Sequence, residues 1–284
     1  MAHPNRLSNA RVLVFGGTSG IGFGVASLAA SQGAYVIISG SKQPKVDDKV
    51  ALLRSYYPSI PKEKITGHAV DLLDTTNHES NITALFDKIT ENGEKKLDHI
   101  VFTAGDFLHL PKIDTVTTDG ALAGFSIRFL APVIIGKLIA TGKWMTTAPS
   151  SSFTVTGGTN TKRPMKGWFL GAAWGASIEG LMRGLAVELA PVRVNMVEPG
   201  AIDTELLQGF FATIGKEVVQ QMKATNGLLG TFGDPSDVAE AYGWLMRDYN
   251  VTGTIAATDN GRLLTGVQLS GSFREAAEKR DDRA

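Results

Sequence analysis

The chain has 284 residues, 43% of them hydrophobic, and its 28 Lys and Arg balance 28 Asp and Glu to a formal net charge of zero. That length and apolar content suit one large α/β domain with a sizeable core. The charge balance argues against a nucleic-acid partner held by bulk positive charge, and the absence of cysteine excludes disulfides, thiolate nucleophiles and cysteine-ligated metals. The five histidines show neither HxxxH nor HExxH spacing, so no metal site is expected. The opening MAHPNRLSNARVLVFGG has no long apolar segment before the first strand, so no secretory signal is expected and the protein reads as cytoplasmic. The longest apolar stretch, 121–141, is cut by Arg128 and Lys137, so no membrane span is expected either.

Strand and helix patterns alternate from the start. Residues 11–15 (RVLVF) read as a buried strand, followed by a glycine-rich turn and then apolar residues at helical spacing over 20–32 (Ile21, Val25, Leu28, Ala29). Residues 35–39 (YVIIS) read as a second strand, with further strands at 66–70, 99–103, 152–156, 193–197 and 254–258. Helices are expected at 46–56, 78–91, 118–141, 168–189 and 235–247. Strands separated by helices mean βαβ units, so the fold class is α/β: a single Rossmann-type, doubly wound parallel sheet with helices on both faces. No linker or repeat divides the chain. We expect one domain over 1–271 and a charged tail over 272–284.

Chemistry first shows in the turn Gly16-Gly17-Thr18-Ser19-Gly20-Ile21-Gly22, which follows a strand and opens a helix. Gly16 allows the tight turn, Gly20 lets backbone N–H groups approach a pyrophosphate, and Gly22 lets the helix pack on the strand. The helix N-terminus then faces the anion. The same spacing also occurs in ordinary glycine-rich loops, and the strand-before, helix-after context decides for phosphate binding.

This GxxxGxG spacing resembles the fingerprint of the short-chain dehydrogenase/reductase family, and the resemblance runs from about residue 9 to residue 268. Val70-Asp71-Leu72 resembles the segment whose Asp holds the adenine. Thr103-Ala104-Gly105 resembles the Asn-Asn-Ala-Gly strand end, with Phe102 and Thr103 in place of the two Asn. Arg193-Val194-Asn195 and the loop Pro199-Gly200-Ala201-Ile202-Asp203-Thr204 resemble the strand and loop that hold the nicotinamide. The stretches 230–239 and 252–261 complete the set. The resemblance implies a dinucleotide cofactor.

Its identity is read from the end of the second strand, where an NAD site needs an acid for the ribose 2′-OH. That position is Gly40, and 33–46 holds no Asp or Glu. Ser39, Ser41 and Lys42 suit a 2′-phosphate instead, so NADP(H) is the expected cofactor.

The family's usual chemistry uses a Ser and a Tyr-x-x-x-Lys pair. Aligned from Glu179-Gly180-Leu181, the Tyr falls on Gly171, the Lys on Gly175 and the Ser near Gly158. No Tyr lies between 58 and 241, so this is no slip of alignment. The central-helix Asn is replaced by Arg128, and residues 121–178 contain no Asp, Glu, His or Tyr. Two helical glycines cost about 1 kcal/mol each relative to Ala. They either open a pocket for a bulky substrate, lined by Trp168, Gly171, Trp174 and Gly175, or allow close helix packing with the tryptophans in the core. A guanidinium at 128 among Phe125, Ile127, Phe129 and Leu130 is costly unless paired. It replaces the lost ammonium near the cofactor, or it snorkels to the surface. Asp106, the nearest carboxylate, is either its catalytic companion or a solvated loop residue.

This set of substitutions resembles atypical fungal short-chain reductases of natural-product pathways, some of which lack Tyr and Lys, reduce an iminium and guide a Diels–Alder cyclisation. The resemblance implies an NADPH-dependent reductase acting on a bulky small molecule with an iminium, carbonyl or quinone acceptor. The alternatives are a non-redox cyclase, isomerase or pericyclase on the same scaffold, and a dinucleotide sensor. The apolar, small-residue helices 118–141 and 168–189 match the family's usual interface, implying a homodimer or homotetramer.

Overall fold

Seven parallel strands form one sheet in the order β3-β2-β1-β4-β5-β6-β7, running β1 Arg11–Phe15, β2 Tyr35–Gly40, β3 Ile65–Ala69, β4 His99–Phe102, β5 Ser152–Thr156, β6 Arg193–Pro199 and β7 Ile255–Thr258. The computed structural model describes residues 2–106, 110–212 and 216–265. The expected tail 272–284 lies outside them.

Alternation along the strands sorts side chains onto two cores. Val12, Val14, Val36, Ile38 and Val197 face α1 (Gly20–Ser31), α2 (Gln43–Tyr56) and α9 (Pro235–Arg247). Leu13, Phe15, Ile100, Phe153 and Met196 face α3 (His78–Thr90), α5 (Ala131–Ala140) and α6 (Phe169–Glu188). Helix α1 lies close to α9 because Gly24 has no Cβ; one would sit 2.7 Å from the Pro235 carbonyl oxygen.

The helix expected over 118–141 is divided. It runs as α4 (Thr118–Ala123), a wide π turn at Ser126–Leu130, then α5. Pro132 supplies the reason: it has no N–H to give the carbonyl four residues back, that of Arg128. The break widens the turn that carries Arg128, and such turns are frequent at functional sites. By length and apolar content alone Thr118–Ala140 is enough to cross a bilayer, contrary to the reading from Arg128 and Lys137. Its inward residues Ala131, Ile135, Leu138 and Ile139 instead belong to the α3–α5–α6 core. Lys137 is held at the surface by Glu79 at 2.7 Å.

Two helices were not expected, α7 (Glu205–Phe211) and α8 (Lys216–Thr225). The Thr204 hydroxyl caps α7 by accepting from the Leu207 N–H at 3.3 Å.

Candidate active site

The strand order reverses between β1 and β4, and a crevice at the carboxyl ends of these two strands is where open α/β sheets bind ligands. A cleft of about 540 Å³ opens there. Its walls include Gly16, Thr18, Ser19, Gly20, Ile21 and Gly22 from the first turn, Ser39, Gly40 and Ser41 from the end of β2, Asp71 and Leu72 after β3, and Ala104, Gly105 and Asp106 after β4.

The turn is built by its glycines. Gly16 has φ +76°, and a Cβ there would lie 2.7 Å from the Ala104 nitrogen. A Cβ at Gly22 would lie 2.3 Å from the Gly16 carbonyl oxygen. Together they bring β1, α1 and the end of β4 into contact around the cleft. The Thr103 hydroxyl, standing where the family has an Asn, donates to the Phe15 carbonyl at 2.8 Å and locks β4 to β1.

At the end of β2, a Cβ at Gly40 would lie 2.7 Å from Cγ2 of the buried Thr18, so Thr18 occupies the space where an acid at 40 would begin. Ser39 is fully buried on the wall, and its hydroxyl has no hydrogen-bond partner among the described residues. A buried polar atom left unpaired is costly unless a ligand satisfies it. Lys45, one turn into α2, lines the cleft beside Ser41. Lys42 does not. It is the exposed N-cap residue of α2 and lies off the wall, so Lys45 joins it as a candidate cation at this end of the cleft. The anion-sized turn, the absent acid and the unpaired hydroxyl fit a dinucleotide.

A second, mostly apolar cavity of about 420 Å³ adjoins the first, and Ile21, Thr204 and Leu206 line both. Pro199, Gly200 and Ile202 form one side, Gly157 to Asn160 another, and Trp168, Met165, Phe211, Met222 and Phe232 the apolar remainder. The loop from Pro199 to Thr204 is held by Gly200, whose N–H donates to the Thr258 carbonyl at 3.1 Å, and by the Asp203 N–H on the Gly233 carbonyl at 2.9 Å. Arg193 and Asn195 lie farther down β6 and are structural. The Arg193 guanidinium, buried, donates to the carbonyls of Pro149, Leu245, Met246 and Val251.

Of the expected substrate-pocket residues, only Trp168 lines this cavity. Gly171 and Gly175 do not open it. The Trp168 ring lies 3.3 Å from where a Gly171 Cβ would sit, and the Thr161 hydroxyl lies 2.0 Å from a Cβ at Gly175. Trp168 and Thr161 thus pack beside the two positions that the resemblance gives to the Tyr and the Lys. Trp174 is a core residue, only 3% exposed, with its ring packed against Gly124, where a Cβ would come within 2.1 Å.

Arg128 is paired, not snorkelling. One Nη donates to the Asp106 carboxylate, the other to the Asp106 carbonyl at 2.7 Å, and the guanidinium stacks over Trp174 at 5.4 Å. Burial lowers its pKa to about 10, so it stays charged at neutral pH. Asp106 is therefore an ion-pair partner on the cleft wall and not a freely solvated loop residue. Arg128 is not itself on the wall; it stands directly behind Gly105 and Asp106, with an Nη 3.0 Å from a Gly105 Cβ position.

Sequence reasoning missed one acid. Glu198, in β6 just before Pro199, is fully buried; one carboxylate oxygen accepts from Lys162 at 2.7 Å and the other has no partner among the described residues. Its signal was a carboxylate at an inward-facing position of a buried strand, next to a loop already singled out.

Comparison with known proteins agrees with this geometry. A family model for an SDR-like Rossmann domain matches residues 3–265. The chain is 38% identical over 258 residues to the short-chain dehydrogenase/reductase malC of Malbranchea aurantiaca, covering 91% of this chain and 96% of that one. It is 36% identical to the short-chain dehydrogenase/reductase fsr5 of Gibberella fujikuroi, covering 92% and 97%. Among solved structures, the MalC reductase/Diels-Alderase from Malbranchea aurantiaca superposes with a TM-score of 0.84, covering 92% of this chain and all of that chain at 38% identity. A short chain dehydrogenase from Burkholderia cenocepacia in complex with NADP superposes at 0.75, with 25% identity and coverage of 91% and 99%. The chain belongs to the short-chain dehydrogenase/reductase family of oxidoreductases.

Proposed function

We propose that the protein is an NADP(H)-dependent reductase of a bulky, mostly apolar natural-product intermediate carrying an iminium, carbonyl or quinone acceptor, and that it works without the family's Tyr-x-x-x-Lys relay. The observation that carries this reading is the apolar cavity joined to the cleft through Ile21, Thr204 and Leu206, with Trp168 and Thr161 packed beside Gly171 and Gly175, where the resemblance puts the Tyr and the Lys.

In this reading the N-terminus of α1 and the turn from Gly16 to Gly22 hold the pyrophosphate, Asp71 and Leu72 flank the adenine, and Ser39, Ser41 and Lys45 take the 2′-phosphate. The loop from Pro199 to Thr204 holds the nicotinamide end at the cavity. When bound, the reduced nicotinamide supplies a hydride. An iminium needs no proton at the receiving atom, so a phenol is dispensable for it. For a carbonyl acceptor, the alkoxide left by hydride transfer takes its proton from solvent, because Asp106 on the cleft wall is ion-paired with Arg128, which fixes its position and charge. Arg128 thus acts as a positioning residue through Asp106. The apolar walls exclude water and hold the acceptor at short range, which is what hydride transfer requires. The name reductase/Diels-Alderase borne by the Malbranchea relative supports a further step, a cyclisation templated by the same walls.

A small-molecule substrate with no nucleic-acid partner agrees with the balanced charge. A homodimer or homotetramer through α5 and α6 is supported by the outer face of α6, where Val187 is 77% exposed and Gly180 and Gly184 face open space.

The test is incubation with NADPH and cyclic imines, quinones or ketones, following loss of the reduced-cofactor absorbance. Acceptor-dependent oxidation supports the proposal. Conversion of an acceptor without any oxidation of NADPH would favour a non-redox cyclase.

A further inference from the structure

The pyrophosphate turn is already engaged by an anion belonging to the chain. The backbone N–H of Gly20 donates to Oε2 of Glu205 at 3.0 Å. Gly20 opens α1, and the first N–H groups of a helix have no partner within it. They are also where the positive end of the helix dipole lies, so a carboxylate is well placed there. The same groups are the ones a dinucleotide phosphate would need.

The contact is built by sequence on both sides. Thr204 caps α7, which places Glu205 as its first residue. Gly20 has φ +46°, and a Cβ there would lie 2.8 Å from Thr204 Cγ2, so only glycine lets α7 rest on the turn this closely. Glu205 lines the dinucleotide cleft and also a separate groove of about 600 Å³ on the other side of the contact. It is exposed to solvent, so its side chain is free to swing off the turn without burying charge.

The geometry points to Glu205 as an internal competitor of the cofactor: its carboxylate holds the phosphate turn and the α7 cover together when the dinucleotide is away, and must yield when the pyrophosphate arrives. The charge at 205 therefore weakens NADP(H) binding and speeds its release. This rests on the cofactor reading above, but concerns a residue that reading does not use.

The test is fluorescence titration of the full chain with NADPH, comparing wild type, Glu205→Gln and Glu205→Ala, with 2′-AMP as a control that carries the 2′-phosphate but no pyrophosphate. Removing one like charge at hydrogen-bond range of the turn should tighten NADPH by about 5- to 20-fold, with a slower off-rate, since each tenfold corresponds to about 1.4 kcal/mol. The affinity for 2′-AMP should not change, because it does not reach the turn. Unchanged or weaker NADPH binding in both variants, with native melting behaviour, would overturn the inference while leaving the cofactor reading intact. Failure of wild type and both variants to bind NADPH would instead overturn the cofactor reading, and this inference with it.

Discussion

Replacing Arg128 by alanine removes two hydrogen bonds to Asp106 and a cation stacked on Trp174, and strands a carboxylate on the cleft wall. The arginine side chain is 18% exposed and that of Asp106 25%. Breaking a buried pair by removing one partner costs about 3–5 kcal/mol. Because water reaches a quarter of Asp106, we expect a cost below that range, about 2–3 kcal/mol in a denaturant titration. The effect on catalysis is separate. If the pair orients the acceptor or stabilises developing charge, kcat should fall by about 100- to 1,000-fold, the usual cost of one lost electrostatic group. Arg128→Lys should rescue poorly, since an ammonium cannot donate to the carboxylate and the carbonyl of Asp106 in the planar geometry. Asp106→Asn should reproduce the kinetic loss, and the double variant should be no worse than either single one, because both act through one pair. The assay is NADPH oxidation with a cyclic imine or ketone acceptor, with circular dichroism as the check on folding and NADPH titration as the check on cofactor binding. Turnover close to wild type in a folded, cofactor-competent Arg128→Ala would refute the reasoning and make this a structural arginine.

Lys45→Ala should weaken NADPH by about 5- to 20-fold, as for one partly exposed charge-assisted contact, and leave NADH nearly unchanged, whereas Lys42→Ala should do little to either. Equal losses for the two cofactors in a calorimetric titration would contradict the 2′-phosphate assignment. Restoring the relay with Gly171→Tyr and Gly175→Lys should destabilise the fold and not raise turnover, because a side chain at 175 starts 2.0 Å from the Thr161 hydroxyl; a gain in activity would show that the old chemistry is still latent. His99 is buried in the sheet, and desolvation, helped by the nearby Arg193 cation, lowers its pKa to about 3. The native state therefore binds fewer protons than the unfolded one below the usual histidine range. Stability should fall as pH drops from about 6 toward about 3, approaching about 1.4 kcal/mol per pH unit, and His99→Asn should flatten that slope. An unchanged slope would place the acid sensitivity elsewhere.

The sheet was legible in the sequence because each strand is a short apolar run bounded by turn residues, and parallel strands covered on both faces are apolar throughout. Boundaries at β2, β3, β4, β6 and β7 differ from the expectation by one or two residues, because pairing with the neighbouring strand, not the apolar letters, sets where a strand ends. The break in the 118–141 helix was signalled only by Pro132, hidden in an otherwise strong apolar pattern. Helices α7 and α8 escaped notice because they follow a loop read for its resemblance, and their Leu206, Leu207, Phe211 and Met222 line the cavity. In the site, the glycine turn was readable because close backbone approach leaves no alternative residue. The pocket residues were not. Whether Gly171 and Gly175 open space or are filled depends on Trp168 and Thr161, which come from the segment before α6 and meet the glycines only in three dimensions. The Arg128–Asp106 pair likewise joins residues 22 positions apart, and neither spacing nor composition brings them together.

The central claim is that this cleft delivers hydride from NADPH to an acceptor in the adjoining cavity. It is tested most directly with NADPH carrying deuterium on the transferring face of nicotinamide C4, a cyclic iminium acceptor and mass spectrometry of the product. The account predicts stoichiometric oxidation of the cofactor and a product with one deuterium at the former iminium carbon. Product that forms without deuterium, with the labelled cofactor intact, would contradict it.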